Sequence, residues 1–322
     1  MDTLGQNPVS DIFQQIKLEL HREIVGQDKL LERLLIALLA DGHILLEGVP
    51  GLAKTKTLVA LTQVLDAQMN RIQFTPDILP SDVVGTEVYR PQTGDFVIRK
   101  GPVFTNLLLA DEINRAPAKV QSALLQAMQE REVTIGEETF KLPSPFLVLA
   151  TQNPLEQEGT YALPEAQVDR FLMKVKVGYP SFEDEVSIID MASSNSGGSQ
   201  KLNKVLPLSQ LRELREMCAA VYIDPKIDRY IVSLVHATRN GDAYGLKGLI
   251  EWGASPRASI ALKVCARALA FIKGKNFVTP DDVKEVAPEV LRHRVLLTFE
   301  AEAKGIDSDE VIKTVLNGVT VP

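Results

Sequence analysis

The sequence predicts an α/β domain, built on a parallel sheet with helices on both faces, followed by a smaller all-α domain. Short apolar runs alternate with helical patterns between residues 43 and 177, which is typical of βαβ units. A Ser/Gly-rich segment follows at 192–200, and the pattern beyond it is helical only. We therefore place the α/β domain at 1–190, a linker at 191–204 and the helical domain at 205–322.

The first domain begins with two predicted helices. Apolar residues recur at every fourth position from Ile12 to Ile24, which marks one helix face, and Asp11 is a plausible N-cap. A break at Val25-Gly26-Gln27 separates this helix from the next, at 28–40. Predicted strands then follow at 43–47, 71–74, 107–111, 146–151 and 172–177, with helices from residue 54 and at 118–130.

Two stretches interrupt the alternation of strands and helices. Residues 87–104 and 132–142 each show a strand pattern on both sides of a polar, glycine-containing turn. The alternative is an ordinary surface loop, but the regular alternation of side chains favours a β-hairpin in each case. We therefore expect two hairpins that project from the sheet.

The second domain shows five helical patterns. Ser255 and Thr279 each precede a proline, so both are expected as N-caps with proline at the first helical position. The predicted helices span 208–221, 225–240, 256–273, 280–296 and 308–316.

Composition limits the classes of protein and partner. With 45 % apolar and 24 % charged residues, the 322-residue chain has a globular profile. Acidic residues outnumber basic ones, 42 against 35, without a Lys/Arg cluster, which favours protein clients over nucleic acid. Cys218 and Cys265 lie in apolar helical patterns and are expected as buried hydrophobes. No apolar run is long enough for a membrane span, and the N-terminus lacks a signal-peptide pattern, so we expect a cytoplasmic protein.

A phosphate-binding loop is predicted at 48–55, between a strand and a helix. Its glycines let successive N–H groups point at a phosphate, and the helix N-terminus adds positive potential. Lys54 would reach the β- and γ-phosphates of ATP, and the Thr55 hydroxyl would coordinate Mg²⁺. The alternative is a glycine turn with a solvated lysine. The loop consists of Gly48, Val49, Pro50, Gly51, Leu52, Ala53, Lys54 and Thr55, with alanine where a glycine usually precedes the lysine.

Polar side chains end two further predicted strands. Asp111 and Glu112 follow the run at 107–110; Asp111 would hold Mg²⁺, and Glu112 would orient or deprotonate the attacking water. Asn153 follows the strand at 146–151 and could bond the water or the γ-phosphate. Taken alone, either feature is an ordinary strand end or turn; their order after the phosphate loop favours the catalytic interpretation.

Two arginines are candidate phosphate ligands. Arg170 ends a short predicted helix, where the alternative is a local ion pair with Asp169 or Glu165. Arg257 lies in the first turn of the helix capped by Ser255, where a cation opposes the helix dipole by about 0.3–1 kcal/mol. The alternative for Arg257 is a side chain that extends into solvent.

Together these segments resemble the AAA+ ATPases and, within them, the MoxR family. The resemblance implies that Val25 and Gly26 lie near the adenine, and Lys56 completes the expected nucleotide-binding set. It also implies that Asn153 senses the γ-phosphate. The matching segments are IVGQ at 24–27, GVPGLAKT at 48–55, LLLADEINRAP at 107–117, ATQNP at 150–154, LPEAQVDRF at 163–171 and SPRA at 255–258.

The resemblance further implies a ring, for which six subunits is the family expectation. Arg170 would be an arginine finger for the neighbouring subunit, and Arg257 would close on the phosphates of its own subunit. Both hairpins would face the pore or axial surface. Family members are described as chaperone-like, often acting beside proteins with a von Willebrand factor A domain.

Two other functions remain open at this point. One is a nucleic-acid-directed AAA+ motor, for which Arg90, Arg99 and Lys100 on the first hairpin are the sequence hint. The other is a chelatase-type subunit for metal insertion, which the first hairpin insertion permits. Both would use the same ATP- and Mg²⁺-binding residues.

Overall fold

The computed structural model describes residues 8–48, 54–153, 159–194 and 201–322. The first part of the chain forms the α/β domain that the sequence predicts. Its elements are α1 (Pro8–His21), α2 (Asp28–Leu39), β1 (Ile44–Glu47), α3 (Lys54–Leu65), β2 (Met69–Gln73), α4 (Pro80–Val84), β3 (Gly85–Arg90), β4 (Asp95–Lys100), β5 (Leu107–Asp111), α5 (Ala118–Glu130), β6 (Glu132–Ile135), β7 (Glu138–Lys141), β8 (Leu147–Gln152), α6 (Glu165–Val168), β9 (Met173–Lys176) and α7 (Phe182–Ser194).

Five parallel strands form the central sheet in the order β2-β5-β8-β1-β9. The three inner strands are buried nearly throughout, which explains their continuous apolar runs, because helices cover both faces of a parallel sheet. In register, Leu45 of β1 lies beside Ala150 of β8, and Leu109 of β5 lies beside Leu149. The carboxyl ends of β1, β5 and β8 therefore meet at one edge.

Both predicted hairpins are confirmed. The first pairs β3 with β4, and the second pairs β6 with β7. The two hairpins contact each other, because the Lys100 ammonium lies 4.9 Å from the Phe104 ring centroid and 4.8 Å from that of Phe140. Tyr89 and Phe96 face each other across the first hairpin with ring centroids 5.3 Å apart, and both are exposed.

The second domain is mostly helical but not wholly so. A small antiparallel pair, β10 with β11, was not predicted. The helix predicted at 280–296 ends at Leu291, because Arg292 turns to bond the Lys174 carbonyl of β9 and Arg294 bonds the Leu172 carbonyl just before it. The elements are α8 (Leu208–Ala219), α9 (Pro225–Arg239), β10 (Ile250–Trp252), α10 (Pro256–Ile272), α11 (Pro280–Leu291), β11 (Leu296–Leu297), α12 (Phe299–Ala303) and α13 (Ser308–Gly318).

Helix termini test the capping predictions. The Ser255 and Thr279 side chains accept bonds from the backbone amides of Arg257 and Asp282, so both N-caps are confirmed. Asp11 is not an N-cap, because α1 begins three residues earlier, at Pro8. Helix α7 runs to Ser194, into the predicted linker, where the Ser193 hydroxyl bonds the Ile189 carbonyl inside the helix. The domain boundaries themselves stay a prediction.

Apolar side chains cover both faces of the sheet. One cluster joins α1, α2 and α3 to the helices of the second domain, including an edge contact of Phe13 with Phe271 at 6.0 Å. The other lies under α5 and the hairpins. Cys218 and Cys265 are buried and unpaired, and burial raises their pKa values to about 11 and about 12. They are apolar core residues, as predicted. Within the described ranges, none of the helices has the length and apolar character to cross a bilayer.

Candidate functional site

The phosphate-loop region follows β1 at the carboxyl edge of the sheet. The Gly48 amide donates to the Gln152 carbonyl of β8 at 3.3 Å. A Cβ at Gly48 would lie 2.6 Å from the Val177 carbonyl oxygen, so the close approach of the backbones requires glycine. The predicted loop residues Val49, Pro50, Gly51, Leu52 and Ala53 lie outside the described residues.

Lys54 opens α3 and turns back toward the loop. Its ammonium donates to the Gly48 carbonyl at 2.6 Å. Burial lowers the pKa of Lys54, and the negative charges of Asp111 and Glu112 oppose that shift. The lysine and both predicted acidic residues therefore share one electrostatic environment. Thr55 follows in the first turn of α3, half-buried.

One buried hydroxyl connects the two acidic residues. Thr151 of β8 donates to Asp111 Oδ1 at 2.6 Å, and its oxygen accepts the Glu112 amide at 2.8 Å. Glu112 has left-handed backbone angles, φ 58° and ψ 49°, which are uncommon for residues other than glycine. The hydroxyl thus orients the Asp111 carboxylate and supports the unusual backbone that presents Glu112. Sequence reasoning missed Thr151, although it lies two residues before Asn153.

Strand β2 supplies further polar partners that the sequence did not single out. Arg71 donates to Asp111 Oδ2 at 2.6 Å, and Gln73 donates to Glu112 Oε2 at 2.8 Å. Arg115 also donates to Glu112 Oε2, at 3.0 Å. The signal was available: in the strand predicted at 71–74, alternation places Arg71 and Gln73 on one face and Ile72 on the other.

The residues present fit a magnesium ion. Asp111 and Thr55 offer a carboxylate and a hydroxyl, the oxygen donors that Mg²⁺ prefers. Magnesium in nucleotide sites uses one or two protein ligands beside water and phosphate oxygens.

Asn153 lies at the end of β8, only 8 % exposed. It lines a cavity of about 760 Å³ between the sheet edge and the second domain. Glu47 and Lys174, which form an ion pair of 2.5 Å, also line this cavity, as do Arg292 and His293 of the second domain. The structure therefore places Asn153 at the same sheet edge as Gly48 and Thr151.

The segment expected near the adenine lies beside α7. Gly26 has φ +69°, and a Cβ there would meet the Asp184 carboxyl at 2.7 Å, so both conformation and space favour glycine. Val25 is half-buried. Lys56 of α3 pairs with buried Glu23 at 3.1 Å, which ties α3 to the chain just before Val25.

Asp169 connects the two predicted arginines, because it precedes Arg170 in the chain and pairs with Arg257. Arg170 is exposed and donates to the Leu125 carbonyl of α5 at 3.2 Å. Among the described residues it forms no ion pair, so the alternative of a local pair with Asp169 or Glu165 is wrong. Asp169 instead lies 3.6 Å from the guanidinium of Arg257, half of whose side chain is exposed.

Comparison with known proteins identifies the family. Residues 43–173 match the profile of the ATPase family associated with various cellular activities (AAA), and residues 245–315 match the AAA lid domain. Chaperone MoxR1 of Mycobacterium tuberculosis is 50 % identical over 307 residues, spanning 94 % of this chain and 81 % of the relative. The chain belongs to the MoxR family of AAA+ ATPases.

Further relatives agree with this assignment. The uncharacterized protein YeaC of Bacillus subtilis is 43 % identical across 94 % of this MoxR-family chain and 92 % of its own length. A crystal structure of a Cytophaga hutchinsonii protein superposes with a TM-score of 0.92 at 47 % identity, covering 98 % of this chain and 96 % of that one. The predicted fold, an AAA+ core with hairpin insertions and an all-α lid, is confirmed apart from the β10–β11 pair.

Proposed function

We propose that this protein hydrolyses ATP with Mg²⁺ at subunit interfaces and uses the energy to remodel or mature protein complexes. The observation that carries the proposal is that Lys54, bonded to Gly48 after β1, and the acidic pair after β5 lie at one sheet edge, where Thr151 of β8 bonds both Asp111 and Glu112. AAA family membership supports nucleotide binding and ATPase activity in general.

Each residue of this edge has a distinct part in the proposed reaction. Lys54 binds the β- and γ-phosphate oxygens, and Glu112 orients or deprotonates the attacking water. Asn153 bonds the water or the γ-phosphate. Thr55 and Asp111 would hold Mg²⁺, which would supply positive charge to the phosphate oxygens. The loop at 48–55, Val25, Gly26 and Lys56 complete the nucleotide site.

The exposed Arg170 serves the nucleotide of the neighbouring subunit. A finger supplied in trans stabilises transition-state charge by on the order of 10³–10⁵ in rate. Because Arg257 contacts Asp169, the residue next to Arg170, we also assign Arg257 to this surface. The resemblance implies a role for Arg257 in its own subunit; we propose the neighbouring site because of this contact. Assembly into a ring, six subunits by the family expectation, therefore completes each site.

Protein clients are favoured over nucleic acid. Lys100, one of the basic residues behind the nucleic-acid alternative, lies against two aromatic rings and is already engaged within the hairpins. Tyr89 and Phe96 instead expose an apolar pair suited to a polypeptide. The relative named Chaperone MoxR1 supports a chaperone role, and proteins with a von Willebrand factor A domain are candidate partners. No observation favours the chelatase-type alternative.

Dilution tests the interfacial site. We expect specific ATPase activity to rise with protein concentration, because a monomer lacks its neighbour's Arg170. Arg170→Ala should abolish hydrolysis at all concentrations while leaving ATP binding intact. Equal activity at concentrations where light scattering shows only monomer would reject the trans assignment.

Capture from a native extract tests the client class. Glu112→Gln should bind ATP without hydrolysing it and so hold the client-binding state, while Lys54→Ala, which lacks the phosphate contact, is the matched control. Proteins enriched only with Glu112→Gln and ATP would support the chaperone proposal. Enrichment of nucleic acid instead would favour the motor alternative.

A further inference from the structure

The turn after α11 reaches across to the segment that carries Arg170. Three consecutive side chains of this turn donate to backbone carbonyls of the core: Arg292 to Lys174, and His293 and Arg294 to Phe171. Burial and the Arg294 charge keep the pKa of His293 well below its ordinary value. Side chains of the lid thus hold the core backbone from Phe171, before β9, to Lys174 within it.

Arg294 makes the densest set of these contacts. Its Nε donates to Asp169 Oδ1 at 2.7 Å, and Nη2 donates to the carbonyls of Asp169 at 3.0 Å and Phe171 at 2.7 Å. Nη1 donates to the carbonyls of Leu172 at 3.2 Å and Val290 at 2.6 Å. A guanidinium has five N–H donors, and these bonds use as many. A buried group with every donor bonded resists reorientation.

These bonds fix the chain on both sides of Arg170. The carbonyl before it, on Asp169, and the carbonyl after it, on Phe171, are both held by the one guanidinium. The Asp169 carboxylate also accepts from Ser255, the N-cap of α10, at 3.2 Å and pairs with Arg257. One lid side chain is therefore linked through Asp169 and Phe171 to Arg170, and through the Asp169 carboxylate to Arg257, the two arginines assigned to the neighbouring nucleotide.

We propose that Arg294 is a positioning residue, through which the lid of one subunit sets the Arg170 and Arg257 side chains presented to the next. The inference rests on the trans assignment made under the proposed function. Lid movement in a subunit then alters hydrolysis in its neighbour and not in its own site. A lysine at 294 would keep the charge but offers three donors in a different geometry, so it cannot reproduce the bonds.

Rings assembled from two different variants distinguish the subunit that donates Arg170 from the subunit that accepts it. A Lys54→Ala subunit is inactive in its own site but donates Arg170, and an Arg170→Ala subunit accepts that arginine. Mixing the two should restore hydrolysis. If it does not, the trans assignment fails, and the result bears on the proposed function and not on Arg294.

Arg294→Lys is then introduced first into the donor variant and, in a separate ring, into the acceptor variant. Added to the Lys54→Ala donor, it should lower the restored kcat by about 100-fold, since a displacement of about 1 Å has that effect on rate, with KM for ATP unchanged. Added to the Arg170→Ala acceptor, it should leave the restored kcat within about twofold. Equal loss on both sides, or loss on neither, would overturn the proposal, because a merely structural role has no preferred side.

Two further variants provide a control and a replacement for Arg294→Lys. Arg292→Lys is the matched control, because Arg292 bonds Lys174 and Asp309 but not the 169–172 segment, so donor activity should persist. If Arg294→Lys does not fold or assemble by circular dichroism and light scattering, Asp169→Asn breaks the same ion pair from the partially exposed side. It should show the same loss on the donor side alone, and a symmetric loss would overturn the proposal.

Discussion

Replacing Thr151 by valine tests how the two acidic residues are held. Thr151 is only 2 % exposed, and valine has nearly the same shape as threonine. The substitution therefore removes two hydrogen bonds with little change in packing. An unsatisfied buried amide costs about 1–3 kcal/mol, and a bond to a charged group contributes about 1.5–3 kcal/mol. Because Arg71 still bonds Asp111, we expect a combined loss of about 2–4 kcal/mol in the free energy of unfolding.

Activity should fall more than binding in the Thr151→Val variant. Without the hydroxyl the left-handed Glu112 backbone loses its support and relaxes, which displaces the carboxylate that orients water. A displacement of about 1 Å lowers the rate on the order of 10²-fold, so kcat should fall by about that factor. Affinity for ATP should stay near wild type, because the phosphate contact of Lys54 remains.

The assay pairs urea denaturation with steady-state ATPase kinetics and includes two threonine controls. Thr151→Ser retains the hydroxyl and should retain most of the activity. Thr105 is equally buried, but its hydroxyl has no hydrogen-bond partner within the described part of the chain, so Thr105→Val should leave stability unchanged or raise it by about 1 kcal/mol. If Thr151→Val matched Thr105→Val in stability and kept its kcat, the assignment of Thr151 would be wrong.

Two further predictions concern buried histidine and left-handed glycine. Burial lowers the pKa of His43 from 6.5 to about 3. The contribution of the neutral ring to the free energy of unfolding is therefore complete above pH 6.5. It is lost as the pH falls from 6.5 toward 3, by about 1.4 kcal/mol per pH unit. In urea titrations at pH 7, 6 and 5, the free energy of unfolding should fall less steeply with pH for His43→Gln than for wild type. Identical dependence on pH in the two proteins would contradict this. Gly26→Ala should lower stability by about 1–2 kcal/mol, measured by thermal melting, because φ is +69° and Asp184 obstructs the methyl group; an unchanged Tm would contradict it.

Local patterns predicted most elements well. Helix α5 and strand β5 have the predicted bounds, because a long amphipathic period and a continuous apolar run are both local signals. The predicted end of α11, at residue 296, was wrong. The helical pattern continues past Leu291, but tertiary hydrogen bonds of Arg292 and Arg294 hold a turn there. Pair β10–β11 was missed because strands of two or three residues carry almost no periodic signal.

The sequence by itself determined the α/β class, the order of the motifs and the identity of Lys54, Asp111 and Glu112 as candidates. Those signals lie within a few neighbouring positions, where spacing and residue type are enough. The tertiary structure alone decided which side chains hold them. Thr151 meets Asp111 across 40 positions, and Arg294 meets Asp169 across 125, because separate strands and helices converge only when the core packs. Pairings at such separations depend on the folded geometry, and no local pattern encodes them.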